Sequence, residues 1–98
     1  MGLVSPSRTR LPENIYIGSK PILNYVTALA TALQKDPTVN VLARGRAISS
    51  AVDVVEVCRR SFVTDISVDE ILIGTEKMGS DDDLRNVSTI QIVLTKPT

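Results

Sequence analysis

The sequence of 98 residues predicts an α/β fold, an α+β two-layer sandwich of order βαβαββ with both helices on one face of a four-stranded mixed sheet. Short β-branched runs alternate with two stretches whose apolar residues recur every three or four positions, as in helices that pack on a sheet. Two further strand-like runs flank a polar loop, which indicates a hairpin. We expect residues 1–12 to form a flexible basic arm and residues 13–98 a single domain.

The first half of the chain is predicted to form a strand and a helix, followed by a second strand. Residues 14–18 are the first strand, and Ser19 is a candidate N-cap for a helix with Pro21 in its first turn. Asp36 and Pro37 end this helix, because proline disfavours helical geometry in the residue before it. The stripe that faces the core consists of Ile22, Val26, Leu29 and Leu33.

A second strand, Val39–Ala43, leads into the second helix, which Ser49 or Ser50 can cap and which extends to about Phe62. Val54 and Val57 lie outside its predicted stripe and leave a second apolar edge, which favours contact with a partner. The residues predicted to face the core are Ala51, Val52, Val55, Cys58 and Phe62.

The remaining strands are predicted at Ser67–Glu76 and Val87–Thr95, on either side of the polar loop Met78–Leu84. Apolar and polar residues alternate in the last strand, which is typical of a sheet covered on one face. Parallel neighbours joined by helical crossovers, followed by one antiparallel hairpin, complete the predicted sheet.

Catalysis is poorly supported by the residue types present. The chain has no histidine, the side chain best suited to act as a base near neutral pH. Cys58 lies on the core-facing stripe of a helix, where a thiol is usually inert. The acidic run Asp81–Asp83 is expected to be a solvated hairpin tip, because three consecutive carboxylates cannot converge on one metal ion. We therefore predict a protein that is not an enzyme and that needs neither cofactor nor metal.

The sequence also indicates a cytoplasmic protein. Residues 1–5 include neither a charged leader nor a long apolar region, so secretion is not expected. No window is apolar over the length that spans a membrane. The single cysteine cannot form an internal disulfide, which agrees with a reducing compartment.

Positive charge is concentrated in the first half of a chain whose net charge is zero. Arg44 and Arg46 flank Gly45 where the second strand gives way to a helix, and Lys20 follows the first strand. Because adjacent parallel strands end at one edge of a sheet, these three side chains should form a single cluster. Arginine forks suit phosphate oxygens, and amide groups at a helix start also favour anions. The pattern predicts a site for a polyanion.

Four segments of the chain resemble the Alba family of archaeal chromatin proteins: residues 17–25, 43–49, 51–53 and 87–92. The resemblance extends over residues 13–96 and implies the Alba fold. It also implies a homodimer, or a heterodimer with a paralogue, that binds double-stranded DNA and also RNA with little sequence preference. Such a protein would be associated with the chromosome.

The resemblance further implies roles for individual residues. Phe62 matches an aromatic residue through which dimers associate side by side on DNA. Ser19 stands where the family often has a lysine that is acetylated. The resemblance also implies that the hairpin reaches along the minor groove of DNA. The acidic tip Asp81–Asp83 replaces a basic or neutral one, and its repulsion of phosphates disfavours this contact. The residues assigned to nucleic acid are Lys20, Asn24 and Tyr25, Arg44 and Arg46, and Lys77 and Arg85, the last two flanking the hairpin arm.

Two alternative functions stay open on the sequence. The neutral charge, the acidic hairpin and the second apolar edge favour a heterodimer subunit that modulates a more basic paralogue. An RNA-binding or RNA-processing subunit is the other alternative.

Overall fold

Four strands and two helices make up residues 12–97, the part of the chain that this computed structural model describes. In chain order they are β1 (Glu13–Tyr16), α1 (Ile22–Lys35), β2 (Thr38–Arg44), α2 (Ala47–Ser61), β3 (Ser67–Met78) and β4 (Arg85–Thr95). The order βαβαββ confirms the predicted fold class. The predicted basic arm, apart from Pro12, lies outside the described residues. Neither helix is long and apolar enough to cross a bilayer.

The strands form one mixed sheet in the order β1-β2-β4-β3. β1 and β2 are parallel neighbours, whereas β4 runs antiparallel to both β2 and β3. The predicted hairpin of the last two strands is confirmed. The expectation of parallel neighbours at both helical crossovers is wrong for the second one, because β4 lies between β2 and β3 and α2 crosses over it.

Both helices pack on one face of the sheet and bury its alternate residues. In β2 this layer comprises Val39, Val41 and Ala43, and Leu94 and Ile92 of β4 lie opposite the first two. Burying one valine, leucine or isoleucine side chain of this layer stabilises the fold by about 1.5–3 kcal/mol. The buried helical residues are Val26, Leu29, Ala32 and Leu33 of α1, and Ala51, Val54, Val55 and Cys58 of α2.

Neither helix begins at a serine cap. α1 follows Pro21, which takes the N-cap position with extended backbone angles, and no side chain caps the helix. α2 begins at Ala47 with Arg46 as its N-cap, so Ser49 and Ser50 lie inside its first turn. The predicted caps, Ser19 included, are therefore wrong. The close turn after β2 starts α2 directly from the strand end and leaves no residues for a separate capping turn.

The buried face of α2 differs from the predicted stripe. Ala51, Val55 and Cys58 are buried as expected, but Val52 is exposed, and Phe62 is 58% exposed where it follows the helix as C-cap. Val54 is completely buried, and with its buried neighbours it completes the regular spacing of a helix face. The predicted apolar edge at Val54 and Val57 is therefore wrong, since Val57 also packs against the core.

Cys58 is fully buried within this core. Burial raises the pKa of its thiol, and a backbone hydrogen bond from Val63 acts in the opposite direction. The raised pKa keeps the sulfur protonated near neutral pH, where a thiol is a weak nucleophile.

β3 is an edge strand whose apolar residues the helices leave uncovered. Within the chain it packs almost entirely against β4. Ile71 and Ile73 lie opposite Ile92 and Ile90 of β4, which places them on the helix-bearing face of the sheet. Their side chains are nevertheless 57% and 82% exposed. We refer to Ile71 and Ile73 as the β3 apolar strip.

Candidate nucleic-acid interface

Two segments with basic residues leave the sheet at the same end, after β1 and after β2. Pairing continues past β1, because the Ile17 amide donates to the Leu42 carbonyl oxygen at 2.9 Å. An open cavity of about 390 Å³ lies at this end, and its lining includes Gly18 from the first segment and Arg44 from the second. Lys20 lies two residues beyond Gly18, within about 7 Å along the chain. The fold thus brings the Lys20 loop to the end of the sheet where Arg44 lies.

The turn that bears Arg44 and Arg46 is held in place through Gly45. Its φ of +55° lies in the left-handed region, which costs a residue with a Cβ about 1–2 kcal/mol. The Gly45 amide donates to the Ser88 carbonyl oxygen of β4 at 2.8 Å, and its carbonyl oxygen accepts from the Ile48 amide at 3.2 Å. Both arginines are exposed, so two cationic side chains project from backbone that is anchored on either side. The cationic cluster is defined as Lys20, Arg44 and Arg46.

The loop of Lys20 is shaped by Tyr25, a half-buried residue of α1. The Tyr25 hydroxyl oxygen accepts hydrogen bonds from the amides of Gly18 at 3.0 Å and of Lys20 at 3.1 Å. These two amides are therefore not available to an anion, and the loop presents its charge through the exposed Lys20 side chain. Asn24 is exposed in the first turn of α1, and its backbone N–H donates to the Pro21 carbonyl oxygen at 3.0 Å.

Replacing Tyr25 with phenylalanine is expected to destabilise the protein by about 1–2 kcal/mol, because two loop amides lose their acceptor. The Lys20 loop should loosen and affinity for nucleic acid should fall with it. Chemical denaturation and a binding titration measure the two effects. Tyr16→Phe is the matched control, since the Tyr16 hydroxyl lies on the exposed sheet face and, among residues 12–97, accepts a hydrogen bond from Asn14 alone, at 3.3 Å. Equal losses in both variants would contradict the assigned role of Tyr25.

Arg44 has an acidic partner that the sequence did not suggest. Its guanidinium donates to Glu76 Oε1 at 3.2 Å and contacts Met78 Sδ at 3.6 Å, both on β3. The side chains of Arg44 and Glu76 are 57% and 54% exposed. Exposed ion pairs contribute about 0–1 kcal/mol, so this contact leaves Arg44 accessible to a competing anion.

The comparisons with known proteins agree on one family. A sequence model of the Alba family matches residues 13–75. The chain belongs to the Alba family. It is 45% identical over 85 residues to DNA/RNA-binding protein Alba 1 of Archaeoglobus fulgidus, covering 86% of this chain and 96% of that protein. It is 47% identical over 83 residues to DNA/RNA-binding protein Alba of Methanothrix thermoacetophila, with 84% and 93% covered.

Solved Alba structures have the same fold. Alba from Thermoplasma volcanium superimposes with a TM-score of 0.81 at 38% identity, over 86% of this chain and all of that one. ALBA1 from Trypanosoma brucei superimposes with a TM-score of 0.71 at 26% identity, over 89% of this chain and 71% of that one. Membership of the Alba family also confirms the prediction that the chain is not an enzyme.

In this Alba chain the two basic residues of the hairpin arm lie on opposite faces. Arg85 is opposite Met78, whose sulfur contacts Arg44, so Arg85 lies on the sheet face of the Arg44 contact. Lys77 is opposite Asn86 and therefore on the other face. Within one subunit, Lys77 and Arg85 therefore do not share a surface.

The acidic tip of the hairpin is exposed at Asp81, Asp82 and Asp83. A turn closes there, in which the Asp83 amide donates to the Ser80 carbonyl oxygen at 2.9 Å. Among residues 12–97 no group of acidic, histidine or cysteine side chains is arranged to hold a metal ion. The aromatic residue assigned to contact between dimers, Phe62, lies at the far end of α2 from Arg46.

Proposed function

We propose that this Alba protein binds double-stranded DNA, and also RNA, through the phosphate backbone and with little sequence preference. The observation that supports this most directly is the cationic cluster, in which Lys20, Arg44 and Arg46 project from one end of the sheet. Arginine forks and a lysine ammonium suit phosphate oxygens, and such contacts provide affinity without reading bases. The relatives at 45% and 47% identity are named as DNA/RNA-binding proteins.

We further propose that the protein acts as a dimer, which doubles the cationic cluster on a chain of zero net charge. The β3 apolar strip supports this proposal. It lies on an edge strand with no further strand beside it among the described residues, and exposed apolar patches on such edges favour association. Two subunits joined along β3 would present six cluster cations to one duplex. Side-by-side contact through Phe62 would then extend the coating along a chromosome in the cytoplasm.

Binding to a random-sequence duplex is expected to weaken steeply with salt. The logarithm of the affinity should fall with the logarithm of salt concentration with a slope on the order of −4, if four or five phosphates are neutralised. Fluorescence anisotropy of a labelled duplex at several salt concentrations measures this slope, and unrelated duplex sequences should give the same curve. A flat salt dependence would exclude phosphate-based binding and with it the proposed function.

Replacing Ile73 with aspartate is expected to convert the dimer into monomers and to weaken binding to duplex at least about tenfold, since the two clusters then bind independently. Light scattering coupled to size exclusion measures the mass, and the same anisotropy assay measures the affinity. Leu23→Asp is the control, because Leu23 is a similarly exposed apolar residue on α1. A variant that stays dimeric would place the subunit interface elsewhere.

A heterodimer with a more basic paralogue is the second candidate. The zero net charge and the acidic hairpin tip favour it, because both weaken the binding of a homodimer to a polyanion. Native mass spectrometry of the chain mixed with such a paralogue decides between the two assemblies, and exclusive homodimers would exclude the second. Competition between structured RNA and duplex DNA for the same protein measures the preference between the nucleic acids.

A further inference from the structure

Arg44, one of the three residues of the cationic cluster, pairs with the carboxylate of Glu76 on β3. We propose that Glu76 competes with nucleic-acid phosphate for Arg44, and that Arg44 exchanges the carboxylate for a phosphate when the duplex binds. Glu76 then lowers the affinity for the duplex and makes the salt dependence of binding less steep. The inference rests on the proposed function, because it concerns the same surface.

The geometry of the contact permits such an exchange. A single guanidinium nitrogen of Arg44 reaches a single oxygen of Glu76, at 3.2 Å. The parallel two-bond arrangement that makes arginine–carboxylate pairs strong is therefore not formed. More than half of each side chain is exposed, so the remaining donors and acceptors are open to solvent. A phosphate can approach Arg44 from solvent and replace the carboxylate one bond at a time.

The sheet explains why Glu76 reaches Arg44 across an intervening strand. Arg44 lies opposite Thr89 of β4, and Thr89 lies opposite Gly74 of β3. Glu76 is two residues beyond Gly74 and so extends from the same face. Because Gly74 has no side chain and Thr89 has a small one, no bulky group separates the two charges. A Cβ on Gly74 would already approach the Thr89 hydroxyl oxygen to 3.2 Å.

Because Glu76 lies beside Arg44, it opposes binding of a phosphate there in a way that the other acidic residues of the β3–β4 hairpin do not. A phosphate seated on Arg44 lies beside the Glu76 carboxylate, and the two like charges repel each other. Among residues 12–97 the structure gives Lys20 and Arg46 no ion pair, so of the cluster only Arg44 must leave a partner. When it does, the freed carboxylate takes up a cation from solution and offsets one of the counterions that the duplex releases.

Replacing Glu76 with glutamine tests the inference. Duplex affinity should rise about two- to fivefold for each subunit that engages the duplex, the range expected for removing an exposed ion pair that opposes binding. The salt slope should become steeper by about one for each subunit, because the freed carboxylate no longer takes up a cation. Glu70→Gln is the matched control: Glu70 is an exposed carboxylate on β3, with the same change of charge.

A double-mutant cycle separates exchange at Arg44 from a general effect of charge. In the Arg44→Ala background, Glu76→Gln should change the affinity less than twofold. A full gain in that background, or an equal gain from Glu70→Gln, would overturn the inference while the proposed function stands. Unchanged affinity and slope in Glu76→Gln would overturn it as well. Failure of the unmodified protein to bind duplex in a salt-dependent manner would instead overturn the proposed function.

Discussion

Replacing both Arg44 and Arg46 with alanine is expected to lower the affinity for duplex DNA by about 100-fold at moderate salt. In the proposed dimer this variant lacks four of the six cluster cations, and each lost phosphate contact also removes about 0.9 from the salt slope. The remaining slope should therefore be close to that of Lys20 alone. The loss should be uniform across duplex sequences, because phosphate contacts position a protein without reading bases. Anisotropy titrations over a series of salt concentrations measure affinity and slope together.

The control for this variant is Lys35→Ala combined with Lys96→Ala, which removes the same number of charges from the opposite end of the sheet. Lys35 ends α1, and the Lys96 amide donates to the Pro37 carbonyl oxygen just before β2 begins. If the loss of affinity reflected only net charge, both double variants would bind equally weakly. That result would contradict the assignment of the cationic cluster as the binding surface.

Replacing Leu29 with alanine is expected to reduce the free energy of unfolding by about 3 kcal/mol. Leu29 is one of the largest side chains with no exposure in the core, and its truncation leaves a cavity between α1 and the sheet. For a domain of this size the corresponding fall in Tm is about 15 °C. Calorimetry at one fixed protein concentration measures it, because association between subunits also shifts the Tm.

Leu23→Ala is the internal comparison for this prediction, since it makes the same chemical change on the same helix. Leu23 is 61% exposed, and the loss of stability should stay within about 0.5 kcal/mol. Similar destabilisation by both substitutions would mean that Leu23 is buried in solution. A subunit interface would then cover this part of α1.

The strands and the first helix could be predicted because packing against one face of the sheet gives each element a regular pattern of apolar residues. Val39, Val41 and Ala43 alternate with half-buried or exposed neighbours, and Val26 and Leu29 recur at helical spacing. The prediction of the cationic cluster rests on the same reasoning, since two parallel strands joined by a helical crossover finish at the same end of the sheet. Resemblance to the Alba family then supplied the roles that composition does not indicate.

The interactions that sequence reasoning missed depend on how the strands are ordered. Arg44 and Glu76 are 32 residues apart, and they lie within reach of each other because β4, inserted between their strands, pairs with both and sets their register. No local sequence pattern indicates that β4 lies between β2 and β3. The exposure of Ile73 has the same origin, because an alternating strand is equally consistent with a covered or an uncovered edge position. The missed start of α2 is different: the close turn at Gly45 allows the helix to begin before the serines that resemble caps.

The interior position of β4 determines when this chain can finish folding during synthesis. β4 is the last of these four strands to leave the ribosome, yet it supplies Ile92 and Leu94 to the buried layer and pairs with β3. Before residues 85–95 emerge, β2 lacks one neighbour and the nascent chain exposes apolar surface that is open to aggregation. The core therefore closes only after translation has passed residue 95, and chains released before that point should be substrates for chaperones and proteases.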